Sequence, residues 1–289
     1  MADDRKPDVV VGLDALMPAE MAVKAENIGV RKADLPFDKV FLLAVLAGAF
    51  IGLGAEFATV VTTGTADKVG FGLSKLIGGL VFSLGLILVI VAGAELFTGN
   101  NLMITGALGR QYGWTRMFAH WGTVYVANFI GSVLLALIVY ESGLWKMAGS
   151  AVGAKALAIA SAKVSLPFAE AFFRGIGCNW LVCLAVWMAL SAKDIAGKIL
   201  AIFFPIMAFV ALGYEHCIAN MYFIPMGLFL EGSAAWAGAA PLEVLSKLTW
   251  GRFVTANLVP VTLGNIVGGA LFVGSIYWFV YTRQAAKKA

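Results

Sequence analysis

The chain has 289 residues, of which 61% are hydrophobic and 13% charged, and its mean hydropathy is +0.87. Soluble domains carry about 25% charged residues, so this balance excludes an ordinary soluble enzyme and points to a polytopic membrane protein. A net charge of +4 gives no nucleic-acid signal, and Cys178, Cys183 and Cys217, an odd number in apolar runs, argue against a disulfide framework.

Residues 1–38 mix acids, bases and prolines, without the apolar run of a cleavable signal peptide. Pro18 predicts a short helix over 17–25. Its apolar positions suit a membrane surface or a pore mouth, and a solvated helical tail is the plainer alternative. A membrane span needs about 20 apolar residues. Runs of that kind cover 40–62, 72–108, 117–140, 168–190, 199–230 and 253–282, and the second and fifth are too long for one simple span. The reading is a cytoplasmic N-terminal segment over 1–38, a transmembrane domain over 39–282 and a cytoplasmic tail over 283–289. An even number of spans puts both termini on one side. Lys and Arg concentrate on the terminal side, with Arg31, Lys32, Arg110, Arg116, Lys193 and Lys198, so that side is cytoplasmic. The outer excursion 143–163 is rich in Ala and Ser and reads as a short surface helix.

The halves of the chain look alike. Val126-Ala127-Asn128-Phe129-Ile130-Gly131 in the third span matches Leu263-Gly264-Asn265-Ile266-Val267-Gly268 in the sixth. Three spans per half is an odd number, so the two repeats are inverted, an arrangement that places a substrate site near the midplane at discontinuous helices. The long second and fifth runs are those broken helices. Polar stretches interrupt both, Ala94–Asn101 in one and Gly213–Asn220 in the other, each with a glutamate. Irregular backbone at membrane depth survives only inside protein or beside a water-filled cavity. Two kinked helices with glutamates in a packed interior are the alternative.

Charged or ionisable groups in hydrocarbon cost about 3 kcal/mol each and mark substrate paths. His216 lies in the second break. Imidazole changes charge near neutral pH, so it suits hydrogen-bond donation to an anion or proton exchange with one. An anion that takes up a proton crosses an apolar constriction more cheaply. Thr98 offers a hydroxyl from the other break. Asn179, Asn220 and Asn265 either face the same path or bridge helices. His120, beside Trp121 near a span end, reads as an interfacial residue. No nucleotide loop, zinc pattern or nucleophile elbow occurs. The chain therefore reads as a transport protein rather than an enzyme, with no cofactor or metal. An aquaporin-like pore for neutral solutes and a haem-holding subunit using both histidines are the competing classes, and a haem absorption spectrum separates the second.

Three stretches carry a resemblance. They are Ala94-Glu95-Leu96-Phe97-Thr98-Gly99-Asn100, Gly213-Tyr214-Glu215-His216-Cys217-Ile218-Ala219-Asn220-Met221, and Asn257-Leu258-Val259-Pro260-Val261-Thr262-Leu263-Gly264-Asn265. Together they resemble the signatures of the formate/nitrite transporter family, over about 16–281. The resemblance implies an all-α, aquaporin-like fold of six transmembrane helices in two inverted three-helix repeats. It implies a homopentamer with one pore per subunit in a bacterial cytoplasmic (inner) membrane. The pore would pass small monovalent anions: formate first, with nitrite or hydrosulfide as alternatives. By position, His216 looks like the central pore histidine and Thr98 its partner, with Glu215 and Asn220 in support. Phe82, Leu86 and Phe209 look like the outer constriction, and Leu96, Phe97 and Val182 like the inner one. Lys163 resembles a vestibule lysine, and Asn179 and Asn265 match pore-facing polar positions. The N-terminal helix resembles a pH-sensitive lid. Gly99 after Thr98 is shared with nitrite, hydrosulfide and other formate branches of the family, so these residues fix the family more firmly than the anion.

Overall fold

Small residues at helical spacing set the architecture. In the computed structural model, which describes residues 15–233 and 242–283, helix α2 (Phe37–Thr62) buries Ala44, Ala47, Gly48, Ile51 and Ala55 along one face. That face crosses α5 (Trp114–Glu141) at backbone contact distance. A Cβ on Gly48 would strike the Asn128 carbonyl, and one on Gly131 would strike the Val45 carbonyl. Helices in lipid associate through such close approach, because lipid tails are as apolar as leucine. The same crossing recurs between α7 (Phe168–Ser191) and α10 (Trp250–Thr282), where a Cβ on Gly268 would strike the Ile176 carbonyl.

Together with α3 (Phe71–Gly93), these four are the helices long and apolar enough to cross a membrane among the described residues. Only 39–50% of each apolar window is buried within the chain. The outward faces carry Leu42, Leu46, Phe118, Phe173, Phe204 and Phe279. So much exposed apolar surface needs lipid or another subunit to cover it.

The two over-long runs each resolve into two helices. Residues 72–108 become α3 and a shorter helix, α4, made of Phe97–Asn100, Asn101–Met103 and Ile104–Leu108. Residues 199–230 become α8 (Ile195–Ala211) and α9 (Cys217–Phe229). The irregular backbone is narrower than the polar stretches suggest. Helix resumes at Phe97 and at Cys217, so Thr98 and Asn220 are helical residues.

Two expectations need correction. The N-terminal helix α1 runs over Pro18–Asp34, well beyond residue 25, and stops where Leu35 meets Pro36. A residue before proline disfavours the helical conformation. It opens with Pro18 at its first turn and with the Glu20 carboxylate accepting from the Met17 amide at 2.7 Å. The outer excursion holds α6 (Ala151–Val164), which is not a surface helix. It buries Val152, Ala156, Leu157, Ala160 and Val164 against α9, where Gly227 lets Ala160 approach. Ala and Gly there serve close packing rather than solvation. Residues 1–14 of the N-terminal segment and 284–289 of the tail lie outside the described residues.

Candidate functional site

Each break begins with a glycine in left-handed backbone. Gly93 has φ +90° and Gly213 has φ +74°, conformations that cost other residues a steric penalty. The next amide closes a wide turn in both places: Ala94 N–H donates to the Val89 carbonyl at 2.9 Å, and Tyr214 N–H to the Phe209 carbonyl at 3.1 Å. The glutamate amides then leave their own segment. Glu95 N–H donates to Leu43 O and Glu215 N–H to Arg174 O, each at 3.2 Å.

One asparagine holds each break. Asn128, from α5, accepts from Phe97 N–H at 2.9 Å and donates to Glu95 O at 2.9 Å and Ala44 O at 2.7 Å. Asn265, from α10, accepts from Cys217 N–H at 2.9 Å and donates to Glu215 O at 2.9 Å and Gly175 O at 2.8 Å. Both side chains are fully buried. The broken backbone has no helical partner at these atoms, and an unpaired buried amide or carbonyl is costly. Asn265 thus pins the backbone of the break.

The glutamates anchor matched clusters. Lys163 Nζ donates to both Glu215 carboxylate oxygens at 2.9 and 3.0 Å, and Asn220 Nδ2 donates to Oε2 at 2.7 Å. Asn220 Nδ2 also donates to the Asn257 side-chain oxygen at 2.7 Å. In the other break Lys32 Nζ donates to Glu95 Oε1 at 2.6 Å, and Asn100 Nδ2 to Glu95 Oε2 at 2.8 Å. His120 occupies the place that Asn257 takes opposite. Its Nε2 lies 3.2 Å from Asn100 Nδ2 and 3.4 Å from Glu95 Oε2. His120 is therefore a buried network member and not the interfacial residue its neighbour Trp121 suggests. A carboxylate and an amide from another segment surround it, and Trp121 itself turns in to donate to Asn100 O at 2.8 Å.

His216 and Thr98 meet between the breaks. Thr98 Oγ1 is 3.0 Å from His216 Nε2. Ala219 N–H donates to His216 Nδ1 at 3.1 Å, which caps α9. With Nδ1 accepting, the neutral ring carries its proton on Nε2 and donates it to the Thr98 hydroxyl. The hydroxyl proton remains available to a third group. The Thr98 carbonyl accepts from Asn179 Nδ2 at 3.2 Å and from the Cys183 thiol at 3.3 Å. Asn179 also donates to Asn101 Oδ1 and Asn265 O, so it ties the two halves together behind the histidine.

Two cavities flank this pair. One, of about 350 Å³, is lined by Lys75, Lys155, Lys163, Arg174, Glu215 and His216, with Phe82 and Phe209 among its apolar walls. The Phe82 and Phe209 rings meet edge to face at 5.6 Å, and Phe209 stacks on His216 at 5.9 Å. The other, of about 320 Å³, is lined by Lys24, Arg31, Lys32, Lys198, Leu86 and Leu96, with Asn100 beside them. Leu86, one helical turn beyond Phe82, lines this second cavity together with Leu96. Phe97 packs edge to face on Tyr125 at 4.9 Å, and Phe97 and Val182 are buried without lining either cavity.

Comparison with known proteins decides the class. The signature of the formate/nitrite transporter family matches residues 19–279. The chain belongs to the formate/nitrite transporter family. It is 45% identical to a probable formate transporter of Methanothermobacter thermautotrophicus, over 92% of this chain and 97% of that one. It is 43% identical to the formate channel FocA of Escherichia coli (strain K12), over 94% and 96%. A solved pentameric formate channel with formate bound superposes with a TM-score of 0.77 at 41% identity, covering 86% of this chain and 98% of that one. Among the described residues this family member is all-helical, with five helices long and apolar enough to cross a membrane, in line with the polytopic character of its composition.

Lys32, Glu95, Asn100, Asn128 and Asn257 are members of the clusters that reading the sequence did not single out as a site. A signal existed. Leu35-Pro36-Phe37 and Leu166-Pro167-Phe168 are a short repeat, and each follows a lysine by three residues, Lys32 and Lys163. Extending the Asn128/Asn265 match back by eight residues likewise pairs His120 with Asn257.

Proposed function

We propose that this family member conducts small monovalent anions, with formate as the main substrate and nitrite or hydrosulfide as alternatives, past His216 and Thr98. The observation that carries the reading is the 3.0 Å contact between His216 Nε2 and Thr98 Oγ1, made where the two breaks meet between two cation-lined cavities. Related proteins named as a formate channel and a probable formate transporter support the substrate.

The pore is formed by six spans in two inverted three-helix repeats, aquaporin-like, with α3–α4 and α8–α9 as the broken second and fifth. The paired bonds of Asn128 and Asn265 support that reading. The Lys163 cavity is the outer vestibule and the Lys32 cavity the inner one. The spanning unit covers 39–282, with 1–38 and 283–289 cytoplasmic, in the inner membrane of a bacterial cell. Subunits assemble as a homopentamer, a reading supported by the superposed formate channel, which is itself pentameric.

An anion entering from outside is drawn by Lys163 and its neighbours, sheds water at Phe82 and Phe209, and accepts hydrogen bonds from the Thr98 hydroxyl and His216 Nε2–H. Apolar walls reject hydrated ions, and polar donors between them replace the hydration shell. Leu86 continues the outer constriction of Phe82 and Phe209 inward, and Leu96, Phe97 and Val182 form the inner one. Glu215 and Asn220 act as positioning residues, since Glu215 spends both oxygens on Lys163 and on amides. Flux responds to pH because a second proton on His216 must go to Nδ1, which breaks the Ala219 cap and places a cation on the path. The charged groups sharing that cavity are Glu215, Lys163, Lys75, Lys155 and Arg174. The N-terminal helix α1 closes the inner mouth as a lid.

Liposome flux of labelled formate, nitrite, hydrosulfide and glycerol tests the reading. Formate is expected to be fastest and glycerol to stay at the level of empty liposomes. Glycerol flux equal to formate flux would overturn it in favour of a neutral-solute pore.

A further inference from the structure

The inner cavity carries more positive charge than a monovalent substrate requires. Helix α1 turns Lys24, Arg31 and Lys32 toward it, at spacings that share one helical face, and α8 adds Lys198. Among the described residues, its lining holds these four cations and no carboxylate. Lys32 is neutralised from behind by Glu95 at 2.6 Å. Lys24 donates to the Leu190 carbonyl at 2.6 Å, which orients its ammonium without cancelling its charge. Neither Arg31 nor Lys198 forms an ion pair among the described residues. The outer cavity differs, since there the Glu215 carboxylate lines the wall beside Lys163 and the Glu170 carboxylate holds Arg174 at 2.9 Å.

Burial and the charges of Lys198, Arg31 and Lys193 hold the Lys24 ammonium below the usual lysine range. That mutual repulsion is relieved by a bound anion. A guanidinium and two ammoniums at one cavity of about 320 Å³ suit an oxoanion carrying more than one negative charge. The far wall of the same cavity is apolar, with Leu86, Val89, Ile90, Leu96 and Val186. A multivalent anion cannot follow the substrate past that wall, because burying an unpaired charge costs far more than the cations return.

We propose that the cavity between α1 and α8 is a binding site for a multivalent phosphate-class oxoanion, held by Lys24, Arg31 and Lys198, that plugs the inner mouth of the pore. The plug depends on the conduction path described above, whereas binding itself does not.

Calorimetry on the purified full-length protein in detergent, with pyrophosphate and inorganic phosphate as probes, tests binding. One pyrophosphate per subunit is expected, bound more tightly than inorganic phosphate. Arg31→Gln combined with Lys198→Gln is expected to weaken pyrophosphate at least ten-fold, and Lys198→Gln alone to weaken it by a smaller factor should the double variant fail to assemble. Lys75→Gln with Lys155→Gln, on the outer cavity, is expected to leave it unchanged. In proteoliposomes, pyrophosphate at the inner face should slow formate flux, and sodium chloride at matched ionic strength should not. Unchanged affinity in the Arg31 and Lys198 variants, or equal loss from the outer pair, would overturn the site. Binding that leaves flux unaltered would overturn the plug, and it would do so without touching the site. Absence of formate flux altogether, with pyrophosphate binding intact, would instead count against the functional reading and leave the site standing.

Discussion

Replacing Asn265 by alanine removes an acceptor and a donor that the second break cannot supply for itself. The Cys217 amide loses its partner at 2.9 Å and the Glu215 carbonyl loses its partner at 2.9 Å. The Gly175 carbonyl lies in the continuous part of α7 and keeps its helical environment, so it adds little. Each unpaired buried group costs about 1–3 kcal/mol, so the variant should lose about 2–6 kcal/mol. Denaturant unfolding of the purified protein in detergent measures the loss. Asn265→Asp retains the acceptor for Cys217 N–H but sets a carboxylate oxygen against the Glu215 and Gly175 carbonyls, a buried charge with no cation beside it, so it should be at least as unstable as the alanine variant. Formate flux should collapse in Asn265→Ala even in the fraction that remains folded, since the released backbone carries His216. An alanine variant within about 0.5 kcal/mol of the parent, the range of ordinary surface changes, with normal flux, refutes the idea that Asn265 pins the break.

Other consequences follow from the same contacts. Lys163→Met leaves the Glu215 carboxylate buried with only amide donors, at a cost of about 3–5 kcal/mol. The double variant with Glu215→Gln should recover most of that loss in an unfolding assay, and failure to recover removes the ion pair as the cause. Gly268→Ala drives a methyl into the Ile176 carbonyl and should destabilise by about 1–3 kcal/mol. Gly122→Ala, which meets open space, should be neutral or mildly stabilising, and equal effects at both positions would contradict the packing account. At α1, burial raises the Glu26 carboxyl above the usual range, opposed by the hydrogen bond from Thr282. The folded state therefore holds more protons than the unfolded state between the two values, and docking of α1 should firm up as pH falls through that window. Hydrogen exchange of α1 amides measures this, and Glu26→Gln should flatten the dependence. Docking that loosens on acidification contradicts the assignment.

The class and the break positions were legible because their signals are local. A run of some thirty apolar residues with a glutamate and histidine inside it has few other readings. The extent of each break was less legible. Polar residues such as Asn100 and Asn220 look like loop, yet they are helical and turn back toward glutamates five residues earlier. His120 was misread for a different reason. Its partners, Glu95 and Asn100, lie on another segment, and only the fold brings them to within 3.4 Å. Only the fold places Leu86 along the path: one helical turn beyond Phe82, it lines the second cavity while Phe82 lines the first.

The central claim is that the anion passes His216 and takes its pH response from that ring. Uptake of labelled formate into liposomes across a range of pH, for the parent and for His216→Phe, tests it most directly. The account predicts that the pH dependence disappears in the variant while the protein still unfolds as an assembled, stable species. Uptake with the parent's rate and the parent's pH profile would contradict it.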